Sequence, residues 1–161
     1  MLGTRVSDSQ LDLRVPRPLP SIGCDRARVR EIFSNLLSNA TKYHDKTPAW
    51  AEVGYIGAYE TAGPGPRPGR APHATAVDTI FYVADNGIGI DERHQEKVFE
   101  IFKRLHPQDA FGGGSGVGLT IARKMVEQHQ GRLWLESQPG VGSTFYFTLP
   151  AGPAAAAKNA G

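Results

Sequence analysis

Three polar residues of one helical segment have the types and the spacing to bind a metal–phosphate group. Asn35, Asn39 and Lys42 are separated by four and three positions, so on a helix with 100° per residue they fall within about 60° of one another. Amide oxygens can serve a hard cation, and a lysine brings positive charge to phosphate. A solvated helix face explains the same residues equally well when this segment is taken alone.

A strand that runs into glycines supplies a second group of candidates. Residues 83–90 read VADNGIGI, in which Asp85 ends an apolar run and Gly87 and Gly89 follow it. A carboxylate at this place can accept a hydrogen bond from an exocyclic amine, and glycines let the backbone pass close to a flat ring. An ordinary Asp-Asn-Gly turn accounts for the segment equally simply.

Two further glycine-containing segments follow. In residues 112–127, GGGSGVGLTIARKMVE, glycines lead directly into a helix, whose free N–H groups and dipole favour phosphate at its start. The segment matches neither the GxxxxGK[ST] phosphate loop nor a dinucleotide fingerprint, and a flexible linker is the alternative. Residues 139–147, PGVGSTFYF, indicate a hairpin turn.

Hydrophobic periodicity predicts the elements that must position these residues. Helical spacing predicts one helix from Asp25, a plausible N-cap, through Ala40, a short one from Glu92 to Phe102, and a third from about Ser115 to His129. Alternating or β-branched runs predict strands at 11–15, 50–59, 79–85, 132–137 and 143–149. Strands and helices do not alternate strictly, which favours an α+β fold with helices on one face of a mixed sheet.

Composition limits the class of protein. The chain has 161 residues, a net charge of +2 and one cysteine, which indicates one domain without a disulfide framework and without a strong attraction to nucleic acid. No apolar run reaches the length of a membrane span, and no signal-peptide pattern begins the chain. We therefore expect a cytoplasmic, monomeric domain at 11–150, with an N-terminal extension at 1–10, a loop insertion at 62–76 and a disordered tail at 151–161.

The motifs, taken in order, resemble a known family. N-x-x-x-N-x-x-K-Y, D-x-G-x-G, a phenylalanine-rich stretch, G-x-G-x-G-L and G-x-G-S-T-F follow one another, and this set is similar to the catalytic ATP-binding domain of sensor histidine kinases, within the GHKL superfamily of gyrase, Hsp90 and MutL. Phytochrome-linked kinases are the most similar branch. The resemblance implies a two-layer α/β sandwich of about five mostly antiparallel strands, with about three helices on one face and a flexible ATP lid.

The resemblance assigns roles to the residues of the first two segments. Asn39 would be the Mg²⁺ ligand, Asn35 would help to hold the phosphates and the metal, and Lys42 would contact phosphate. Tyr43 would flank the adenine or ribose. Asp85 would accept a hydrogen bond from the adenine amino group, directly and through water.

The remaining implied site residues lie further along the chain. Thr144 would lie near Asp85 beneath the adenine, and Arg104 would contact the γ-phosphate, so that Asn35, Lys42 and Arg104 form the catalytic set. The other residues expected to contact or enclose ATP are Gly87, Gly89, Ile90, Phe102, Gly114, Ser115, Gly116, Val117, Gly118 and Leu119, with Phe99 and Phe102 as packed hinges of the lid.

One position bears on the reaction type. In the hydrolysing branches of the superfamily a glutamate lies four residues before the metal-binding asparagine, whereas this chain has Asn35 there, and an amide cannot act as a base. Phosphoryl transfer needs mainly positioning and charge neutralisation. We therefore expect ATP-dependent transfer of a phosphoryl group, with Glu31 in a salt bridge to a neighbouring arginine.

The expected acceptor is not in this chain. None of the five histidines has the sequence context of a phosphoacceptor, which is why we expect a catalytic fragment or a domain that acts in trans on a histidine-containing dimerisation domain, upstream of a response regulator in two-component signalling. Two alternatives stay open: a serine kinase of the anti-sigma type, and a nucleotide-binding pseudokinase that serves as a docking module. The histidines are His44, His73, His94, His106 and His129.

Overall fold

In a computed structural model, residues 2–5, 11–20, 25–56, 79–100 and 118–149 are described. These residues form an α+β fold of six strands, two α-helices and two short 3₁₀ turns. The strands are β1 (Leu2–Arg5), β2 (Leu11–Val15), β3 (Ala49–Ile56), β4 (Thr79–Asp85), β5 (Leu133–Gln138) and β6 (Gly142–Leu149), and the helices are α1 (Arg26–Lys42) and α2 (Gly118–Gln128).

The strands form one mixed sheet in the order β1-β2-β3-β4-β6-β5. Strands β2 and β3 pair in parallel, and the other four neighbouring pairs are antiparallel. The expected sheet of about five mostly antiparallel strands is therefore confirmed. Strand β1 adds a sixth, from residues that the sequence pattern leaves as an N-terminal extension.

Both helices lie on one face of this sheet. Ile32 and Leu36 of α1 and Val126 of α2 are fully buried against Phe145 and Phe147 of β6. The opposite face carries a separate group, in which Tyr82, Ala84 and Tyr146 are accompanied by Trp50 and Trp134. Because successive strand residues point to opposite faces, these two groups show which residues of β4 and β6 point toward the helices.

Helix α1 begins where the sequence predicts. The Asp25 carboxylate accepts hydrogen bonds from the backbone N–H groups of Ala27 (3.1 Å) and Arg28 (3.3 Å), which satisfies two donors that the first turn leaves without helical partners. The helix ends at Lys42 with Tyr43 as its C-cap. The polar residues of the first candidate segment therefore occupy the last two turns of α1.

The predicted helix from Glu92 to Phe102 is wrong in its form. The described part of this segment contains two 3₁₀ turns, Glu92–His94 and Lys97–Phe99, instead of one continuous helix. Asp91 caps the first turn, and the second delivers Phe99 into the core, 6.3 Å from the ring of Phe145. Contacts with the sheet outweigh the weak helical periodicity of so short a segment.

The other predicted elements agree with the structure within one or two residues at the ends that are described. Positions 57–59 of the third predicted strand, 101–102 of the second helix and 115–117 of the last helix lie outside the described residues. Neither α-helix of the described residues is long and apolar enough to cross a membrane.

Replacing Phe147 tests the packing that fixes α1 on the sheet. Its ring is fully buried. The centroid of this ring lies 5.1 Å from the ring centroid of Phe33 and 5.4 Å from that of Phe81. We expect Phe147→Ala to lower the free energy of unfolding by about 3–5 kcal/mol, because it leaves a cavity between helix and sheet. Val141→Ala, at a residue that is 58% exposed, should change it by less than about 0.5 kcal/mol in the same denaturant titration. Equal effects of the two substitutions would contradict this packing.

Candidate functional site

The site is built around Asp85, a half-buried carboxylate at the end of the central strand β4. Its Oδ1 accepts hydrogen bonds from the backbone N–H groups of Gly87 (2.8 Å) and Ser143 (3.3 Å). Burial raises the pKa of this carboxyl to about 6, although the two N–H groups and the charges of Lys46 and His44 lower it. Asp85 is therefore mostly ionised at neutral pH, at the cost of removing a charge from water.

Close backbone contacts require the glycines of the loop that follows Asp85. A Cβ at Gly87 would collide with the carbonyl oxygen of Tyr43, and one at Gly89, where φ is +73°, would collide with that of Gln138. The sequence pattern predicts that these glycines allow the backbone to lie close to a ligand ring. The structure adds a second reason, since they also let the loop pack against the end of α1 and against the β5–β6 hairpin.

Asn35, Asn39 and Lys42 lie together on α1, as predicted, and all three are half-buried. Within the described ranges, their side chains have no hydrogen-bond or ion-pair partner. Tyr43 follows directly, and its carbonyl accepts a hydrogen bond from Ile88 N (3.1 Å). This bond joins the end of α1 to the loop after Asp85, so the polar face of α1 and the carboxylate belong to one site.

The start of α2 lies beside the same face of α1. A Cβ added to Gly118 would be 3.3 Å from Oδ1 of Asn35, so the first residue of α2 is close to that amide. Leu119 is partly buried and packs against the main core, and its contact with a ligand stays a prediction. The first turn of α2 and the last turns of α1 therefore form neighbouring walls of the site.

The structure corrects the placement of Thr144. In the β4–β6 register Asp85 is opposite Ser143, whereas Thr144 is opposite Ala84. Thr144 therefore points to the face of the sheet that carries Tyr82, away from the Asp85 carboxylate. The residue beneath the candidate adenine site is Ser143, which is buried and donates its backbone N–H to Asp85.

A serine of β5, which the sequence analysis does not identify, connects two of the glycine-containing segments. The Ser137 hydroxyl accepts a hydrogen bond from Ile90 N (2.7 Å), donates to the carbonyl of Gly142 (2.9 Å) and lies 2.8 Å from the hydroxyl of Ser143. Gln95 Nε2 donates to the carbonyls of Ile90 and Ser137, both at 3.2 Å. Leu133 and Leu135 point toward the core, and Ser137 is the next residue in the same alternation. A polar residue at such an inward position is the sequence feature that could have identified it.

Two residues that were also missed hold the other side of the loop. The Asn86 side chain accepts from Trp50 N (2.8 Å) and donates to the carbonyl of Pro48 (3.0 Å). Lys46 donates to the carbonyls of Asn86 (2.9 Å) and Gly87 (2.7 Å). Nothing in the sequence distinguishes Lys46 from a surface lysine, because its partners are backbone groups that only the fold brings near.

Several predicted site residues lie outside the described residues, and their roles stay predictions. Phe99, the described member of the phenylalanine-rich stretch, is buried, and its carbonyl accepts a hydrogen bond from the Thr120 hydroxyl (2.6 Å). Phe99 is therefore packed into the core, and its role as a hinge of the lid stays a prediction. The residues outside the description are Phe102, Arg104, Gly114, Ser115, Gly116 and Val117.

One family of ATPase domains matches most of the chain. The family model described as "Histidine kinase-, DNA gyrase B-, and HSP90-like ATPase" matches residues 24–153. The chain belongs to this family, which confirms the resemblance drawn from its motifs.

Similar relatives point to the histidine kinase branch. The chain is 48% identical over 149 residues to cyanobacterial phytochrome B of Nostoc sp., a match that covers 92% of this chain and 18% of that protein. It is 37% identical over 136 residues to the adaptive-response sensory kinase SasA of Synechocystis sp., covering 84% of this chain and 31% of the relative. The chain is therefore of the histidine kinase catalytic-domain type and spans less than a third of either relative's length.

Solved structures agree on the fold. The mycobacterial sensor histidine kinase MprB superimposes with a TM-score of 0.63 at 25% identity, covering 89% of this chain and 84% of that one. Full-length ShkA, solved in complex with AMPPNP, gives a TM-score of 0.64 at 24% identity, covering 89% of this chain and 26% of ShkA. The predicted two-layer α+β architecture is thereby confirmed.

The raised pKa of Asp85 predicts how stability depends on pH. Because the folded pKa of about 6 exceeds the ordinary value near 4, the folded state binds the proton more tightly, and this group's contribution makes the protein less stable as pH rises from about 4 to above 6. We expect Asp85→Asn to be more stable relative to wild type at pH 7.5 than at pH 4.5, by roughly 2 kcal/mol. Urea titrations of both proteins at the two pH values measure this difference. If the two proteins differ in free energy of unfolding by the same amount at both pH values, the pKa of Asp85 is the same in the folded and unfolded states, which would contradict this prediction.

Proposed function

We propose that this domain binds Mg-ATP in the site around Asp85 and donates the γ-phosphate to a histidine on a separate domain. The observation that carries the proposal is the pairing of an adenine-type acceptor, the half-buried Asp85, with the half-buried amides of Asn35 and Asn39 on the adjoining wall. One end of the site suits a purine amine and the other suits phosphate with its metal. Family membership supports the same reading.

Adenine recognition would depend on the ionised form of Asp85. An ionised carboxylate only accepts hydrogen bonds. Oδ1 accepts from Gly87 and Ser143, and Oδ2, which has no hydrogen-bond partner among the described residues, suits the exocyclic amine of adenine. The half-buried Tyr43 flanks this end of the site. Guanine and hypoxanthine, which have a carbonyl at the same ring position, would face the carboxylate with a second acceptor.

The donor set fits a magnesium ion that arrives with the nucleotide. Among the described residues, no group of three or more His, Cys, Asp or Glu could hold a metal unaided. Mg²⁺ in nucleotide sites is commonly held by one or two protein oxygens together with phosphates and water, and the amide oxygen of Asn39 is such a ligand. The metal would supply charge neutralisation at the phosphates, and the ammonium of Lys42 would add to it from the same helix face.

The reaction type follows from Asn35. This amide lies beside Gly118, at the start of α2, and it has no capacity to take a proton from water. Glu31, one turn earlier, is exposed and, among the described residues, forms no salt bridge, contrary to expectation. We therefore favour transfer of the phosphoryl group to a bound acceptor over hydrolysis.

The acceptor would be a histidine-containing dimerisation domain, with a response regulator acting downstream. The relatives that suggest this arrangement, cyanobacterial phytochrome B and SasA, are longer proteins, and the partner domains are therefore part of the proposal. The AMPPNP complex of ShkA shows that a protein of this fold takes an ATP analogue, which supports the nucleotide class.

Substitutions of the two asparagines should have different effects. Asn39→Asp keeps an oxygen ligand but adds negative charge beside the triphosphate, and we expect phosphotransfer in trans to fall at least about tenfold while the fold is retained. Asn35→Glu supplies a candidate base for water, and we expect slow ATP hydrolysis to rise above the wild-type background. The assay is phosphate release from labelled ATP, with and without an added histidine-bearing helical domain.

The control is Ser34→Ala, an exposed neighbour on α1, which should behave as wild type in both assays. If the wild-type domain alone hydrolysed ATP rapidly and the added domain acquired no acid-labile phosphate, a kinase would be excluded and an ATPase module would replace it.

A further inference from the structure

The loop between Asp85 and Ile90 depends on hydrogen-bond partners from three other elements. The N–H groups of Asn86, Ile88 and Ile90 donate to Trp50 O (3.4 Å), Tyr43 O (3.1 Å) and Ser137 Oγ (2.7 Å). The carbonyl of Ile88 accepts from Gly140 N (2.8 Å). Buried or half-buried backbone groups of an irregular segment need such partners to stay in one conformation.

Lys46 binds two further backbone carbonyls of this loop. Its ammonium donates to the carbonyls of Asn86 at 2.9 Å and Gly87 at 2.7 Å, and it lies 3.5 Å from the exposed carboxylate of Asp45. The Lys46 side chain is 34% exposed, compared with 53% for Asp45. Two short bonds from one charged donor to consecutive carbonyls fix a peptide orientation that a surface lysine with one contact would not fix.

Both backbone polar groups of Gly87 form hydrogen bonds. Its N–H donates to Asp85 Oδ1 at 2.8 Å, while its carbonyl accepts from Lys46. The absence of a Cβ lets the same residue lie against the carbonyl of Tyr43. Any rotation of this residue would therefore break the bond to the carboxylate that lies at the centre of the site.

The charge of Lys46 also acts on that carboxylate. The charged groups that influence Asp85 are Lys46 and His44, both in the segment that follows α1, and both oppose the effect of burial on its pKa. Strand β6 contributes the backbone N–H of Ser143, which is uncharged. Removal of the Lys46 charge would therefore leave Asp85 protonated to a higher pH.

We infer that Lys46 is a positioning residue of the adenine pocket, which holds the loop after β4 beside Asp85 through its bonds to the carbonyls of Asn86 and Gly87. This inference rests on the proposed function, because it presupposes that adenine is the base bound at Asp85. Lys46 acts through Asp85 and Gly87 and touches neither the base nor the phosphates. It thus differs in role from Lys42, four residues earlier, whose side chain has no partner within the described ranges.

The test compares Lys46→Met, Lys46→Arg and the exposed control Lys124→Met with wild type. Binding of adenosine, ADP and ATP is measured by NMR titration or calorimetry between pH 5 and pH 8. We expect Lys46→Met to weaken all three ligands by about the same factor, on the order of tenfold, since two charge-assisted bonds that order the loop are lost. The pH midpoint below which binding weakens should rise, because the neighbouring positive charge is gone.

Lys46→Arg separates charge from geometry. It should restore the wild-type pH midpoint while binding more weakly than wild type, because a planar guanidinium does not reproduce the two-carbonyl contact. Lys124→Met should match wild type in both respects. If Lys46→Met does not fold, as judged from its circular dichroism, Lys46→Arg provides the test. The inference then requires that Lys46→Arg weaken adenosine and ATP by the same factor.

Three outcomes would overturn the inference. Unchanged affinity and pH midpoint in Lys46→Met would show that the lysine positions nothing. A loss confined to ADP and ATP, with adenosine binding intact, would make Lys46 a phosphate contact. Failure of the wild-type domain to bind any of the three ligands would instead overturn the proposed function, and the inference with it.

Discussion

A partly desolvated carboxylate at the end of the central strand is the constraint on which the rest of this site depends. Asp85 is half-buried beside apolar strands, so its ionised form depends on backbone donors and nearby positive charge that compensate for the lost hydration. Gly87 and Ser143 supply the donors, and Lys46 and His44 supply the charge. These four residues come from three segments of the chain, and each segment must approach the end of β4 closely.

The close approach explains the shape of the site. Gly87 accommodates the end of α1, Gly89 accommodates the β5–β6 hairpin, and Ser137 connects that hairpin to the loop through Ile90. The same contacts align the last turns of α1 with Asp85, so the amides that would serve phosphate and metal lie at a fixed distance from the base-recognising end. The proposed nucleotide would span these two ends.

Whether a feature of this structure can be predicted from the sequence depends on the kind of interaction that creates it. The strand from 79 to 85 and the cap at Asp25 follow from local patterns, and the spacing of Asn35 and Asn39 places them on one helix face; the structure confirms each of these. The motif G-x-G-S-T-F was placed one residue out of register, since alternation alone does not say which of Ser143 and Thr144 points toward the helices.

Other features could not be found from local sequence at all. Lys46 and Asn86 hold the loop through backbone partners that are between 36 and 41 residues away in sequence, and no side-chain pattern encodes such a contact. After Asp91 the chain forms 3₁₀ turns, because burying Phe99 in the core outweighs the weak helical periodicity of the segment. Both cases are interactions that only the assembled sheet creates.

The central claim is that ionised Asp85 selects adenine through its exocyclic amine. The most direct test is the affinity of the isolated domain for ATP and for inosine triphosphate, which replaces that amine with a carbonyl, measured between pH 5 and pH 8. We expect ATP to bind about 5- to 150-fold more tightly than inosine triphosphate above pH 7, because an acceptor facing an acceptor is a mismatched contact. This preference for ATP should narrow below about pH 6 as Asp85 takes up a proton. Equal affinity for the two nucleotides across this range would contradict it.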